Sequence, residues 1–228
     1  VLHVVGALDR GGVETWLLDL TARLDRRRWR FDFCELGGRP GRYGSLAVER
    51  GSRVLECSLA APSRWSFPLR LLCLLREGGY DVVHSHVHGF SGVVLGIALA
   101  AGVRVRVAHS HNTADGRPDT WRRACYRYSA AALLRQSSTA ALACSAEAAR
   151  ALFRPARLAD ARVSVLHYGL DGSLDPRPGE PTLRRQFGLG PETPVAGHVG
   201  RFDRQKNHEF LLDVAAAARR RRPDLRWL

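Results

Sequence analysis

The sequence contains no methionine, and lysine occurs once, as Lys206, among 35 basic residues. With Val1 already inside an apolar run, a missing initiator predicts that the chain is a piece of a longer protein. Cys-x-x-Cys pairs are absent too. The five cysteines, Cys34, Cys57, Cys73, Cys125 and Cys144, are odd in number and lie mostly in apolar stretches, the pattern of reduced, buried thiols in a cytoplasmic protein. The longest apolar run, Phe90 to Val103, is broken by glycine and too short to span a bilayer, so no transmembrane helix is expected. No Gly-x-Gly-x-x-Gly fingerprint follows the first strand, which argues against nicotinamide binding. No paired carboxylates of the glycoside-hydrolase kind stand out either.

Positive charge is abundant. The formal net charge is +13, carried almost entirely by arginine. Runs such as Arg26-Arg27-Arg28 and Arg219 to Arg222 fall at expected helix ends, where cations complement the carbonyl pole of the helix dipole. Two readings stay open: a solvated face, or a basic face that touches an anionic membrane or a phosphorylated substrate. Basic stripes interleaved with aromatics, the mark of RNA-binding surfaces, are missing, so no nucleic-acid partner is expected.

Short β-branched runs alternate with longer segments of helical period, which predicts an α/β fold with a doubly wound parallel sheet. Val1–Val5 reads as a strand, and Val13, Trp16, Leu17, Leu20 and Leu24 then recur at helical spacing. Further strands are expected at 31–36, 53–57, 81–85, 104–109, 139–144 and 163–166. Helices are expected at 68–76, 90–101, 119–135 and 146–153. Glycine and proline crowd residues 169–194, which predicts one domain over 1–170 and a crossing over 171–194. A second βα pattern over 195–228 has a strand at 195–199 and a helix at 207–221.

Ligands of open parallel sheets gather where strand carboxyl ends meet helix N-termini, and four polar clusters fall at such places. Gly11 and Gly12 follow the first strand, where two residues without Cβ let a ligand approach the backbone. His84, His86 and His88 alternate at one strand end, so they are expected to share a face. A metal site there is conceivable, but no carboxylate or thiolate stands at ligand spacing, and none is expected. The next strand runs into His109, Ser110, His111 and Asn112, groups suited to hydroxyl-rich ligands. Last, Gly200, Arg201 and Lys206 precede a helix that begins near Asn207. Fixed cations beside free backbone N–H groups suit a diphosphate whose charge grows as it leaves.

Six stretches, GGVE, DVVHSHVHG, RVAHSHNT, ACSAEAARALF, VLHYGLD and GRFDRQKNHEFLLDV, occur in this order over nearly the whole chain. Together they resemble the retaining glycosyltransferases of family 4, in the branch that builds bacterial exopolysaccharide and capsule. The resemblance implies the GT-B architecture, two Rossmann-like domains facing across a cleft, and catalysis without metal or other cofactor. It implies that residues 1–170 hold a glycan or lipid-linked acceptor, and that 195–228 begin the domain for a nucleoside diphosphate sugar. By it, Arg201 and Lys206 grip the donor diphosphate and His109 lies near the reacting sugar. Gly11, Gly12 and Gly200 face the donor, while His86, Ser110 and Asn112 face the acceptor. The chain departs from the family where Tyr168-Gly169-Leu170-Asp171 replaces Asn-Gly-Ile/Val-Asp. The family's Glu-x7-Glu motif has no counterpart before Leu228, which implies truncation within the donor domain and an inactive fragment. Two rivals remain: a nucleotide-sugar epimerase of the same shape, or a noncatalytic module that binds acceptor or membrane. The expected location is the cytoplasm, at the inner face of the cell membrane.

Overall fold

In the computed structural model, residues 1–60, 62–113, 120–153, 162–169, 181–200, 202–203 and 206–228 are described. Seven parallel strands form one sheet in the order β3-β2-β1-β4-β5-β6-β7. They are β1 (Leu2–Val5), β2 (Asp32–Glu35), β3 (Val54–Glu56), β4 (Val82–Ser85), β5 (Val105–Ser110), β6 (Ala140–Ala143) and β7 (Val163–Val165). Strand order reverses between β1 and β4, which leaves a crevice at their carboxyl ends; this is the Rossmann-like, doubly wound arrangement.

Alternation along each strand divides the sheet into two unlike faces. Leu2, Val4, Val83 and Ala108 point to an aliphatic side. Against it pack α3 (Phe67–Gly78), α4 (Ser91–Ala100), α5 (Trp121–Ser137) and α6 (Ala146–Phe153). In α3, Phe67, Leu71 and Leu75 recur every fourth residue and are buried, Pro68 opens the helix, and left-handed Gly79 ends it. Helix α4 is apolar on every side, as its position between α3 and α5 requires. Two buried hydroxyls tie this face to its helices: Ser85 Oγ donates to Ser91 Oγ at 2.9 Å, and Ser110 Oγ donates to the Ala148 carbonyl at 2.7 Å.

The opposite face is narrower. Val5 and Phe33 pack there against Trp16, Leu17 and Leu18 of α1 (Gly12–Arg23) and against Ala47 of α2 (Gly44–Glu49). Helix α2, six residues opening on glycine, is too short to betray itself by period and was not expected from the sequence. At the amino end of the sheet, fully buried Asp32 accepts bonds from the Arg53 backbone N–H (2.9 Å), Arg53 Nε (3.0 Å) and the Tyr80 hydroxyl (2.9 Å).

The chain divides into two units, Val1–Leu170 and Asp171–Leu228. The second holds α7 (Pro181–Gln186), α8 (His208–Arg221) and a parallel pair, β8 (Val195–Ala196) with β9 (Arg226–Trp227). Helix α7 falls within the stretch read as a crossing; proline's fixed φ, which suggests a break, also suits a first helical position. Among the described residues, no helix is long and apolar enough to cross a membrane.

Candidate functional site

Five imidazoles crowd the narrower face near the carboxyl ends of β1, β4 and β5. Register places His3 beside His84 and His84 beside Val107, so two residues further along each strand His86 and His109 become neighbours. His3 Nδ1 lies 3.0 Å from His86 Nε2, and His86 Nδ1 lies 2.8 Å from His111 Nε2. His111 Nδ1 in turn meets the Tyr168 hydroxyl. This is one continuous chain of hydrogen bonds, in which His86 and His111 each use both ring nitrogens and His3 uses its Nδ1 alone. Beside it, a separate pair joins His84 Nε2 to His109 Nδ1 at 3.2 Å, with the two rings nearly parallel.

The cluster is capped by aromatic rings. Trp16 of α1 meets His109 edge-on, with centroids 5.7 Å apart, and lies 4.9 Å from the Tyr168 ring. Burial lowers the proton affinity of every ring in the cluster, and the nearness of other rings that would carry like charge adds to the effect for all but His109. The pKa of His109 falls to about 4 and those of His84 and His111 to about 3, while His3 and His86 lie well below 6.5. All five are therefore neutral at pH 7. The Nε2 atoms of His3 and His109 are buried without a hydrogen-bond partner.

Beside this cluster the chain leaves β1 and enters α1 through Gly11 and Gly12. Gly11 is the extended N-cap residue of α1 and has no side chain with which to cap the helix; the carboxylate of Glu14 folds back over it, where a Cβ on Gly11 would collide with it. A Cβ placed on Gly12 would meet nothing within 4 Å. Internal crowding therefore does not demand glycine there. Buried Glu35 shapes the approach, since its Oε1 accepts from the backbone N–H groups of Leu8 (2.6 Å) and Gly41 (3.0 Å).

A cavity of about 640 Å3 opens along the same edge of the sheet. Leu36, Leu59, Val87 and Phe90 supply apolar lining, while His88, Arg123 and Tyr126 add polar groups. His88 was expected to share a strand face with His84 and His86. Strand β4 ends at Ser85, however, and His88 takes a left-handed φ of 50° in a 3-10 turn, which turns it into this cavity instead.

Other expected residues are distributed as follows. His86 and His109 come together. Ser110 does not join them, because alternation sends it to the aliphatic face, where its hydroxyl is bonded to the Ala148 carbonyl; this corrects its reading as an acceptor contact. Asn112 is exposed beyond the strand end. In the second unit, Lys206 is exposed one residue before Asn207, the N-cap of α8, and its backbone N–H bonds to Asp203 at 2.9 Å. A Cβ on Gly200 would lie 3.5 Å from Lys206 Cγ, so these two residues are adjacent. Arg201 lies outside the described residues. His3, Trp16, Glu35 and Tyr168 were missed as site residues. His3 alternates with Leu2 and Val4 in its strand, but only strand pairing shows what it faces.

Comparison with known proteins follows the same lines. The model of Glycosyltransferase Family 4 matches residues 10–174. EpsF of Bacillus subtilis (strain 168), named as a glycosyltransferase, is 31% identical over 97% of this chain and 59% of its own length. CapH of Staphylococcus aureus, a capsular polysaccharide biosynthesis glycosyltransferase, is 27% identical over 94% of this chain and 56% of its own length. The chain thus spans under two thirds of the length of these relatives. HepE of Anabaena, solved in complex with UDP and glucose, superposes with a TM-score of 0.74 at 20% identity, over 99% of this chain and 59% of that one. A glycosyltransferase from Rickettsia africae gives 0.66 at 15% identity, over 89% of this chain and 52% of that one. With its family model spanning 10–174, most of the sheet and the whole histidine cluster apart from His3, the chain belongs to Glycosyltransferase Family 4.

Proposed function

We propose that the chain serves an enzyme that moves a sugar from a nucleoside diphosphate sugar to an acceptor hydroxyl with retention at the anomeric carbon. The pathway is exopolysaccharide or cell-envelope glycan synthesis, and the enzyme works in the cytoplasm at the inner face of the membrane, which its basic surface contacts. The observation that carries this reading is the convergence of neutral imidazoles with the Gly11–Gly12 turn at the sheet's switch point. That turn offers helix N–H groups to phosphate. Neutral rings suit sugar hydroxyls, since they both donate and accept without carrying charge. The names of EpsF and CapH support the pathway, and the UDP in the HepE complexes supports the donor class.

In this reading His109 contacts the reacting sugar, held in place by His84 behind it. Gly11 and Gly12 in the first unit are assigned to a diphosphate, as, separately, are Gly200, Arg201 and Lys206 in the second. The departing phosphate takes the acceptor proton, so no carboxylate acts as nucleophile and no metal takes part in the transfer. Residues 1–170 form the acceptor side and 195–228 open the donor side. The acceptor, a glycan or a lipid-linked glycan, lies in the 640 Å3 cavity, whose apolar walls and arginine fit a sugar face and an acidic group. His86 and Asn112 meet the acceptor outside the lining of that cavity.

The test is transfer by the intact protein that carries this chain, with a series of nucleoside diphosphate sugars and NMR of the product anomer. Arg201→Ala is expected to lower turnover by about 10²- to 10³-fold, the usual loss when a charge-stabilising group is removed. Near-normal turnover would remove the diphosphate assignment, and conversion of the donor without acceptor would favour epimerisation.

A further inference from the structure

Among the described residues, two groups of three histidines have ring nitrogens within 4.8 Å of one another: His3, His84 and His86, and His86, His109 and His111. Nothing in sugar transfer calls for so many neutral rings in one place. A single histidine near the sugar would serve, and crowding five of them lowers the proton affinity of each. The second group is the more accessible, because His86 and His111 are only half-buried while His3 lies in the core.

We propose that His86, His109 and His111 form a binding site for a divalent transition-metal ion of the zinc, copper or nickel class, one that shares residues with the proposed sugar site but takes no part in the transfer step. The donor set is three imidazole nitrogens with no carboxylate, which suits these borderline-soft ions and disfavours magnesium, calcium and manganese. Three nitrogens at tetrahedral zinc bond lengths stand about 3.3 Å apart. His86 Nδ1 and His111 Nε2, 2.8 Å apart around a shared proton, need to separate by only a few tenths of an ångström to exchange that proton for an ion. His109 has its Nδ1 held by His84 while its Nε2 is buried and unpartnered, so one ring nitrogen is anchored and the other is available. A backing hydrogen bond of this sort is what fixes the orientation of metal-ligating histidines. Three protein ligands leave a fourth position open. Because the ion engages His109, loading the site withdraws that ring from the sugar, so bound metal inhibits transfer.

The test is equilibrium dialysis of the chain against Zn²⁺ alone. One equivalent is expected to bind, unaffected by a large excess of Mg²⁺, and Co²⁺ in its place is expected to give the intense visible absorption of a tetrahedral site. His111→Gln is expected to weaken binding at least tenfold. The double variant His198→Gln/His208→Gln removes a close pair of histidine rings in the second unit, 5.1 Å apart, and is expected to leave binding intact. If His111→Gln does not fold, the rise in Tm that Zn²⁺ causes in the unmodified chain decides the matter: it must persist in the double variant. Absence of stoichiometric binding, unchanged affinity in His111→Gln, or loss of binding in the double variant would overturn the proposal. Each readout is binding rather than turnover, so this idea and the proposed transfer reaction can fail independently.

Discussion

The two faces of the seven-stranded sheet come from the same alternating strands but solve different problems. Leu2, Val4 and Val83 look into a dry layer in which helices α3 and α4 bury Leu71, Leu75, Val94 and Leu95, and its serine hydroxyls are bonded to strand or helix partners. Across the sheet, His3, His84, His86, His109 and His111 form a layer that is polar, neutral and incompletely bonded. The first face contains no imidazole; its buried titratable side chains include the thiols of Cys34 and Cys57 and the phenol of Tyr80. The second is stable only while its rings stay uncharged, a condition that water imposes through pH. Burying apolar surface thus makes one side indifferent to its surroundings, and burying imidazole makes the other responsive to them.

Acid offers the strongest way to separate the faces. An ordinary histidine takes up a proton near pH 6.5, but the pKa values of these rings in the folded chain lie far lower, at about 4 for His109 and about 3 for His84 and His111. The unfolded chain therefore binds more protons below pH 6.5, and stability falls as pH falls through the window from 6.5 to about 4. It is retained in full above 6.5. Each ring contributes up to about 1.4 kcal/mol per pH unit in that window. All five shifts have the same sign, so their effects reinforce one another. Urea unfolding in the presence of a chelator is expected to show steep loss of stability from pH 6.5 down to about pH 4. A flat profile over that range would mean that the rings are not buried as neutral groups.

Leu95→Ala probes the other face. Its side chain is fully buried in α4, and truncation is expected to cost about 2–5 kcal/mol through lost burial and the residual cavity. The loss should be the same at pH 7.5 and pH 6, because no titrating group is touched. A decrement that changes with pH would mean that the two faces are coupled through the sheet.

How much of this contrast is legible before strands are paired depends on the range of the interaction. Strand positions follow from β-branched runs, and the histidine-tipped ends of β4 and β5 are visible in DVVHSH and RVAHSH. Their mutual approach is expected as well, since neighbouring parallel strands bring like ends together. His3 and Tyr168 are another matter. They join His86 and His111 across 83 and 57 residues, and only the order β1-β4-β5 makes them partners. Ser110 is misread for a local reason: its neighbours in sequence are histidines, but period-2 alternation puts it on the aliphatic side. His88 fails because a left-handed residue ends the alternation that the spacing suggests.

Glu35 joins the site to the fold, and two substitutions distinguish what it does. Its Oε1 accepts two buried backbone N–H groups, from Leu8 and Gly41, which hold the loop after β1 against the loop after β2. Glu35→Gln keeps a carbonyl oxygen with two lone pairs, so it is expected to cost about 1 kcal/mol or less. Glu35→Leu leaves two buried donors without partners, at about 1–3 kcal/mol each, and should loosen the Gly11–Gly12 turn. Hydrogen exchange at Leu8 and Gly41 reports the change directly; protection retained in Glu35→Leu would mean that other acceptors replace the carboxylate.

The smallest expected effects come from two glycines on one helix of the aliphatic face, and they test how closely that face is packed. A Cβ on Gly92 would lie 2.9 Å from the Ala130 carbonyl oxygen and 3.2 Å from Leu134 N, both backbone atoms of α5 that cannot rotate away. Gly92→Ala must therefore push α4 and α5 apart, at about 1–3 kcal/mol. One turn further on, a Cβ at Gly96 would meet only Leu133 side-chain atoms at 3.6 Å or beyond, which is ordinary contact. Alanine there relieves the poor helix propensity of glycine, so Gly96→Ala is expected to be neutral or to stabilise by up to about 1 kcal/mol. Opposite signs in urea unfolding would show that α4 approaches α5 most closely at its first turn. Equal destabilisation would mean that both glycines face backbone and that the helices cross nearer their middle. Because neither change touches an imidazole, the acid profile should keep its slope in both variants, and only the height of the curve should move.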